Sequence, residues 1–134
     1  MNNGRKYTTQ MDAARKGIIT AELSTAARYE LIEPENLAAL VAQGRAVIPA
    51  NVLHSSLVAR AVGRTLKTKI NVNLGISRDS SDQDREMDKV RAALALGADA
   101  IMDLSSAGDT GAFRKKLVEI SPAMIGTVPA YDAV

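Results

Sequence analysis

Hydrophobic and polar residues alternate most regularly in residues 69–75, where β-branched residues alternate with asparagine and the run ends at Gly75. A period of two predicts a β-strand. Residues 99–105 and 124–131 have the same extended character, and a stretch with helical spacing precedes each of them. The pattern therefore predicts a βαβαβ unit with a parallel sheet, as found in α/β barrels and in doubly wound sheets.

The two connecting helices are predicted from their end signals and their apolar spacing. Ser81 can cap the first helix, which Gly97 ends, and the second helix begins near Asp109 and stops before Pro122. Apolar residues recur at helical spacing in both: Met87, Val90 and Leu94 in the first helix, and Phe113, Leu117 and Ile120 in the second.

The chain before the first of these strands predicts three short helices. The first covers residues 11–16 after a Thr9 cap, the second follows Thr20, and the third runs from Pro34 to Gly44. Residues 46–48 are a candidate strand, and we interpret residues 55–68 as a loop with some extended character. The helices would cover one end of the sheet.

Three side chains occupy corresponding positions near the predicted strand ends: Asn73, Met102 and Tyr131, each 29 residues from the next. A constant step of one βα unit places them at one edge of a parallel sheet, where ligands bind in α/β folds. An amide, a thioether and a phenol suit a polar heterocycle or a sugar. A structural role is the alternative for each: backbone satisfaction by Asn73, core packing by Met102 and closure of a barrel end by Tyr131.

Composition limits the chemistry. The net charge of +2 gives no argument for nucleic acid or a membrane surface, and no apolar run approaches a membrane span, so we expect a cytoplasmic protein. The chain has no cysteine and one histidine, His54, which we interpret as a hydrogen-bonded side chain and not as a metal ligand. We find no catalytic triad, no phosphate-binding glycine loop and no assignable carboxylate pair.

Five ordered motifs resemble the phosphomethylpyrimidine synthase (ThiC) family from Thr9 to the last residue. The motifs are Thr9-Gln-Met11 with residues 14–20, Gly44-Arg45 with Ile48-Pro-Ala-Asn51, residues 69–75, Gly97-Ala-Asp99 with Met102-Asp-Leu-Ser105, and Gly126-Thr-Val-Pro129 with Tyr131. The resemblance implies a radical S-adenosylmethionine enzyme, a lyase that converts aminoimidazole ribotide into the hydroxymethylpyrimidine phosphate of thiamine biosynthesis. It also implies that Asn73, Met102 and Tyr131 contact this substrate.

The resemblance implies an α/β fold in which N-terminal helices precede the first βα units of a (β/α)8 TIM-like barrel, incomplete in this chain. We accordingly divide the chain into an N-terminal helical segment, residues 1–44, and the first part of the barrel, residues 45–134. Family members carry three cysteines for a 4Fe–4S cluster and two zinc histidines. This chain has none of these ligands, so we expect it to be the N-terminal part of a full-length homodimeric enzyme and to be inactive alone.

Two alternatives remain open. The segments Ser106-Ala-Gly108, 122–126 and Tyr131-Asp-Ala133 depart from the commonest family pattern and are similar to the paralogue 5-hydroxybenzimidazole synthase, which makes the lower ligand of a cobamide from the same ribotide. The third possibility is a non-catalytic module that binds the ribotide. Asn73, Met102 and Tyr131 would serve each of the three.

Overall fold

A computed structural model describes residues 5–133 of the chain. Its helices and strands are α1 (Gln10–Arg15), α2 (Ala21–Glu30), α3 (Pro34–Ala42), β1 (Ala46–Val47), β2 (Val62–Gly63), β3 (Asn71–Leu74), α4 (Gln83–Ala95), β4 (Ala100–Asp103), α5 (Thr110–Ile120), β5 (Met124–Thr127) and a 3-10 helix (Pro129–Asp132). Among the residues described, no helix combines the length and the apolar character needed to span a membrane. The α/β class predicted from the sequence is confirmed.

The described residues group into two compact units. The first contains the chain up to Ala50 together with Val58–Thr68, and the second contains Asn51–Leu57 together with the chain from Lys69 onward. Residues 45–50 and 58–68 thus group with the helices, whereas we expected them with the barrel strands. The division into a helical segment and a barrel part remains a prediction.

The first unit consists of α1, α2 and α3 with a short antiparallel ladder. Strands β1 and β2 pair Ala46 with Gly63 and Val47 with Val62, so part of the segment interpreted as a loop forms a strand. A ladder of two residues is too short to show the alternation of a strand, and its two halves are distant in the chain, so the sequence does not reveal it.

The core of the first unit is made of small and aliphatic side chains, chiefly from the helices: Leu23, Ala26, Ala27, Leu37, Val41 and Ile48.

The predicted caps Thr9 and Thr20 and the predicted start at Pro34 are confirmed, although α1 begins at Gln10 and not at Met11. Thr9 accepts a hydrogen bond from the Asp12 amide at 3.0 Å, Thr20 accepts one from the Leu23 amide at 3.0 Å, and Pro34 begins α3. Asp12 in turn accepts a hydrogen bond from the Lys16 ammonium at 2.9 Å. This bond, followed by the one from the Thr8 amide, lowers the pKa of Asp12.

The start of α4 is one residue later than predicted. Asp82, and not Ser81, caps the helix, because one oxygen of its carboxylate accepts hydrogen bonds from the amides of both Asp84 and Arg85. Helix α5 begins next to Asp109, as predicted, and Asp109 is its N-cap; the helix ends at Ile120 with Ser121 as its C-cap, just before Pro122.

The second unit is built on a parallel sheet with the order β3-β4-β5. Its register pairs Asn73 with Met102 and Met102 with Gly126. Helices α4 and α5 cover one face of the sheet, and their apolar side chains form a core with alternate strand residues: Leu74, Ile76, Met87, Val90, Ile101, Phe113 and Leu117, with Val72, Leu94 and Ile125 packed against them. The predicted βαβαβ order is confirmed.

The backbone approaches itself closely at the end of β3. Gly75 has φ +149°, and a Cβ atom at this position would lie 2.5 Å from the Ser105 nitrogen and 2.7 Å from the Leu104 carbonyl carbon. No side chain fits these distances, and L-residues rarely adopt this φ. The ends of β3 and β4 can therefore pack together only because residue 75 is glycine.

We expect Gly75→Ala to lower the free energy of unfolding by about 3 kcal/mol or more, because the methyl group would meet backbone atoms that cannot move independently. Gly97→Ala is the matched control, since Gly97 also has a positive φ, +84°, but nothing within 4 Å of the added Cβ. It should lose only about 1–2 kcal/mol. Urea unfolding followed by far-UV circular dichroism measures both, and equal midpoints for the two variants would contradict the close-contact argument.

Candidate functional site

The two faces of the parallel sheet differ in chemistry. Val72, Leu74 and Ile101 face helices α4 and α5. Side chains alternate along a strand, so the residues between them lie on the face away from these helices, here called the opposite face. It carries Asn71, Asn73, Met102 and Gly126.

Asn71 and Asn73 are both exposed on this opposite face. The Asn71 side-chain nitrogen donates a hydrogen bond to the Asn73 side-chain oxygen at 2.8 Å. This contact fixes the amide of Asn73 and directs its NH₂ group away from Asn71. Asn73 therefore presents two oriented donors, as a ligand with carbonyl, ring-nitrogen or hydroxyl acceptors would require.

Met102 lies beside Asn73 in the sheet and extends over β5. A Cβ atom at Gly126 would lie 2.8 Å from the Met102 methyl carbon and 3.0 Å from its sulfur. The missing side chain of Gly126 therefore makes the space in which the thioether lies. Met102 and Gly126 together form an apolar and polarizable surface next to the Asn73 amide.

Tyr131 does not continue the strand register. The residue paired with Met102 on β5 is Gly126, and Tyr131 lies five residues later in the 3-10 helix Pro129–Asp132. The 29-residue step from Asn73 to Met102 therefore matches the sheet register, whereas the step from Met102 to Tyr131 does not. The predicted strand over 124–131 ends at Thr127, since Pro129 cannot donate a ladder hydrogen bond.

Tyr131 instead borders a polar cleft beyond the strand ends. The cleft has a volume of about 410 Å³ and is lined by Ser77, Arg78, Asp79, Ser106 and Tyr131. Asn73 and Met102 are not among its lining residues. The structure thus brings Asn73 and Met102 together on the opposite face, and places Tyr131, 47% exposed, with the loops that follow β3 and β4.

Sequence reasoning missed the turn that carries Arg78 and Asp79. The Ser77 amide donates to the Ser80 carbonyl at 3.0 Å, and the Ser80 amide donates to the Ser77 carbonyl at 3.2 Å. This tight turn presents a cation and an anion at its tip, and both are exposed. The run Ser-Arg-Asp-Ser after a strand-ending glycine is a turn signal that could have identified it.

Asp103, the last residue of β4, is buried. It lies on the helix side of the sheet, 0% exposed, and accepts hydrogen bonds from Arg114 of α5 at 2.7 Å and from the Ser105 hydroxyl at 2.5 Å. Burial of a carboxylate is tolerated when its oxygens are paired and hydrogen-bonded in this way. Asp103 joins α5 to the end of β4.

His54 is hydrogen-bonded, as expected. Its Nε2 donates to the Ser121 carbonyl at 2.7 Å, since a carbonyl oxygen can only accept, and its side chain is buried. Ser56 donates to the same carbonyl at 2.8 Å, so both residues satisfy the C-terminal end of α5. Within residues 5–133 no group of three or more potential ligands could hold a metal ion.

We expect Gly126→Ala to displace the Met102 thioether, because the added methyl group would lie at 2.8 Å from its terminal carbon and that flexible end can move. The Met102 methyl resonance in a ¹³C-methyl-methionine spectrum should shift, whereas that of Met87, on the buried side of α4, should not. Gly111→Ala is the control, since its Cβ would meet only Asp109 at 3.6 Å. An unchanged Met102 resonance in Gly126→Ala would contradict the contact.

Comparison with known proteins identifies the family. Residues 9–134 match the Radical SAM ThiC family. The chain is 59% identical over 128 residues to the phosphomethylpyrimidine synthase of Clostridioides difficile, 58% over 128 residues to that of Pelotomaculum thermopropionicum and 60% over 128 residues to that of Alkaliphilus metalliredigens. Each match covers 96% of this chain but only 29–30% of the relative. The chain therefore belongs to the radical SAM ThiC family and spans about 30% of the length of the curated relatives it matches.

Proposed function

We propose that this chain is the N-terminal part of a phosphomethylpyrimidine synthase, a lyase that converts aminoimidazole ribotide into hydroxymethylpyrimidine phosphate for thiamine biosynthesis. The observation that carries the proposal is the 59% identity to the Clostridioides difficile phosphomethylpyrimidine synthase over 128 residues. The polar strand ends of the second unit add support, since they offer recognition groups for a small polar substrate. A cytoplasmic location and a full-length homodimer are parts of the same proposal.

Asn73, Met102 and Tyr131 are the proposed substrate contacts. The Asn73 NH₂ group would donate to an acceptor of the ribotide, and the Met102 thioether would provide an adaptable apolar wall beside it. Tyr131, at the polar cleft beyond the strands, would contact a more distant part of the substrate through its ring or its hydroxyl. A ligand touching all three must extend from the opposite face of the sheet to this cleft.

The three parallel strands are the proposed beginning of a (β/α)8 barrel. Among the residues described, β3 and β5 are the outer strands of the sheet and each has one unpaired edge. Strands from the remainder of a full-length protein would pair with these edges, and the opposite face would then become the barrel interior. Asn73 and Met102 would point into that interior.

Membership in a radical SAM family implies S-adenosylmethionine and an iron–sulfur cluster, and the residues of this chain do not fit the cluster. Such clusters are held by cysteine thiolates, and the chain contains none. For zinc, the only histidine of the chain, His54, is engaged by the Ser121 carbonyl. The ligands for both metals would come from residues outside this chain, which alone would bind substrate without converting it.

Two other functions have specific observations in their favour. Ser106-Ala-Gly108 and Tyr131-Asp-Ala133 favour 5-hydroxybenzimidazole synthase, because Ser106 and Tyr131 line the cleft in which a product-specific contact would be made. A non-catalytic ribotide-binding module would need no cysteine, and the cysteine-free sequence is compatible with it as well. Substrate recognition by Asn73 and Met102 is common to all three proposals.

A chimera separates these functions. This chain replaces the matching 128-residue segment of the Clostridioides difficile relative, and the reconstituted protein is given the ribotide, S-adenosylmethionine and a one-electron reductant. We expect hydroxymethylpyrimidine phosphate. Hydroxybenzimidazole would support the second function, and ribotide binding without turnover the third. A folded chimera with neither product nor ribotide binding by calorimetry would overturn all three.

In this chimera we expect Asn73→Asp to lower kcat/KM by roughly ten- to a hundredfold, because a carboxylate keeps the acceptor for Asn71 but loses the donors proposed for the substrate. Asn36→Asp is the control: it makes the same amide-to-carboxylate change at an exposed position of α3. It should leave steady-state turnover unchanged. An Asn73→Asp variant with the kinetics of the control would show that Asn73 does not contact the substrate.

A further inference from the structure

Glu86 is a buried carboxylate in the first turn of α4. It is 1% exposed, and its Oε2 accepts a hydrogen bond from the Gly75 amide at 3.1 Å. Its Oε1 accepts one from the Lys89 ammonium at 2.5 Å. A carboxylate is removed from water at a large cost unless its oxygens are hydrogen-bonded, and here each oxygen has a donor.

A second anchor holds the next residue of the same loop. The Ile76 amide donates to the Ser105 hydroxyl at 3.0 Å, and this hydroxyl donates in turn to Asp103. On the other side the Ser106 amide donates to the Ile76 carbonyl at 2.9 Å. Two consecutive amides, those of Gly75 and Ile76, are therefore held by side chains, one from α4 and one from the loop after β4.

The anchored residues lead directly into the candidate site. Asn73 lies two residues before Gly75, and Ser77 begins the turn whose tip, Arg78 and Asp79, lines the cleft with Tyr131. The backbone between Asn73 and Ser77 thus has its position set by Glu86 and Ser105. A shift at Gly75 would move the Asn73 amide and the cleft wall together.

We propose that Glu86 is a positioning residue for the candidate substrate site. Its hydrogen bond to the Gly75 amide fixes the loop that connects Asn73 to the cleft, so that the site is formed before the substrate binds. The inference rests on the proposed function for the identity of the ligand, and on the described contacts for the loop itself. Preorganisation of this kind reduces the ordering required on binding.

Stabilisation of the helix N-terminus is the simpler interpretation of an acidic residue in this turn. Asp82 already caps α4, and the exposed Asp84 lies in the same turn. A charge that acts on a helix dipole does not need to be buried, whereas a carboxylate that reaches the Gly75 amide does. The burial of Glu86 and its contact outside the helix therefore favour positioning of the loop.

Three substitutions of Glu86 in the chimera test separately the length of its side chain and its charge. Glu86→Gln keeps the length and an acceptor for the Gly75 amide, Glu86→Asp keeps the charge but is shorter by one methylene, and Glu86→Ala loses both. Asp88→Asn is the matched control, because Asp88 pairs with Arg91 at 2.6 Å in the same helix with the same three-residue spacing as Glu86 and Lys89, but is 75% exposed. It should behave as the unsubstituted chimera.

We expect Glu86→Ala and Glu86→Asp to raise the KM for the ribotide about tenfold with kcat little changed, and Glu86→Gln to stay within about twofold of the unsubstituted KM. A purely structural role predicts a different result. Partial unfolding reduces the concentration of active enzyme, so it lowers the apparent kcat and leaves KM unchanged. That result, or an equal impairment by Glu86→Gln and Glu86→Ala, would overturn the proposal.

Hydrogen exchange provides a readout that does not need turnover. Glu86→Ala should accelerate exchange of the amides in residues 75–80 by about tenfold and leave the Ile101 amide, in the central strand, unaffected. Unchanged or uniformly accelerated exchange would overturn the positioning role. If the unsubstituted chimera makes no product, the proposed function fails, and the exchange measurement still decides whether Glu86 holds the loop.

Discussion

The contact between the Gly75 backbone and that of Leu104 and Ser105 is the constraint on which the candidate site depends. Because no Cβ is present, the chain leaving β3 passes within van der Waals distance of the chain leaving β4. The two loops then exchange hydrogen bonds between Ile76 and the residues Ser105 and Ser106. This approach brings Ser77 and Ser106 to the same cleft, so the geometry at one glycine determines which polar groups can act together.

The polar groups on the two faces of the sheet differ in burial and in hydrogen bonding. On the helix side, the carboxylates of Glu86 and Asp103 are buried and accept hydrogen bonds from backbone amides and from cations. On the opposite side, the amide of Asn73 is exposed and only its oxygen is engaged. Buried polar networks make a structure rigid when every group is satisfied. The helix side thus supplies rigidity, and the opposite side offers groups for recognition.

The sequence predicted what depends on local chemistry. Thr9 and Thr20 were identifiable as helix caps because each cap acts within three residues, and the Asn73–Met102 register followed from the length of one βα unit. Tyr131 was misplaced because Pro129 ends the last strand early, and five further residues happened to restore the 29-residue step. The burial of Asp103 depends on Arg114, eleven residues away on α5, and spacing alone does not reveal such a partner.

Under the proposed function, this chain supplies groups for substrate recognition but no ligand for the cofactor that starts the reaction. Amide, thioether and phenol groups can recognise a small molecule by shape and hydrogen bonding, and they need only a rigid support such as the Glu86 and Asp103 contacts supply. Reductive cleavage of a sulfonium needs an electron donor held by thiolates, and a chain without cysteine supplies none. Under the proposed function, substrate recognition and radical generation therefore belong to different segments of one enzyme. The precision with which the Gly75 loop is held then determines how well the substrate is presented to a cofactor that this segment does not bind.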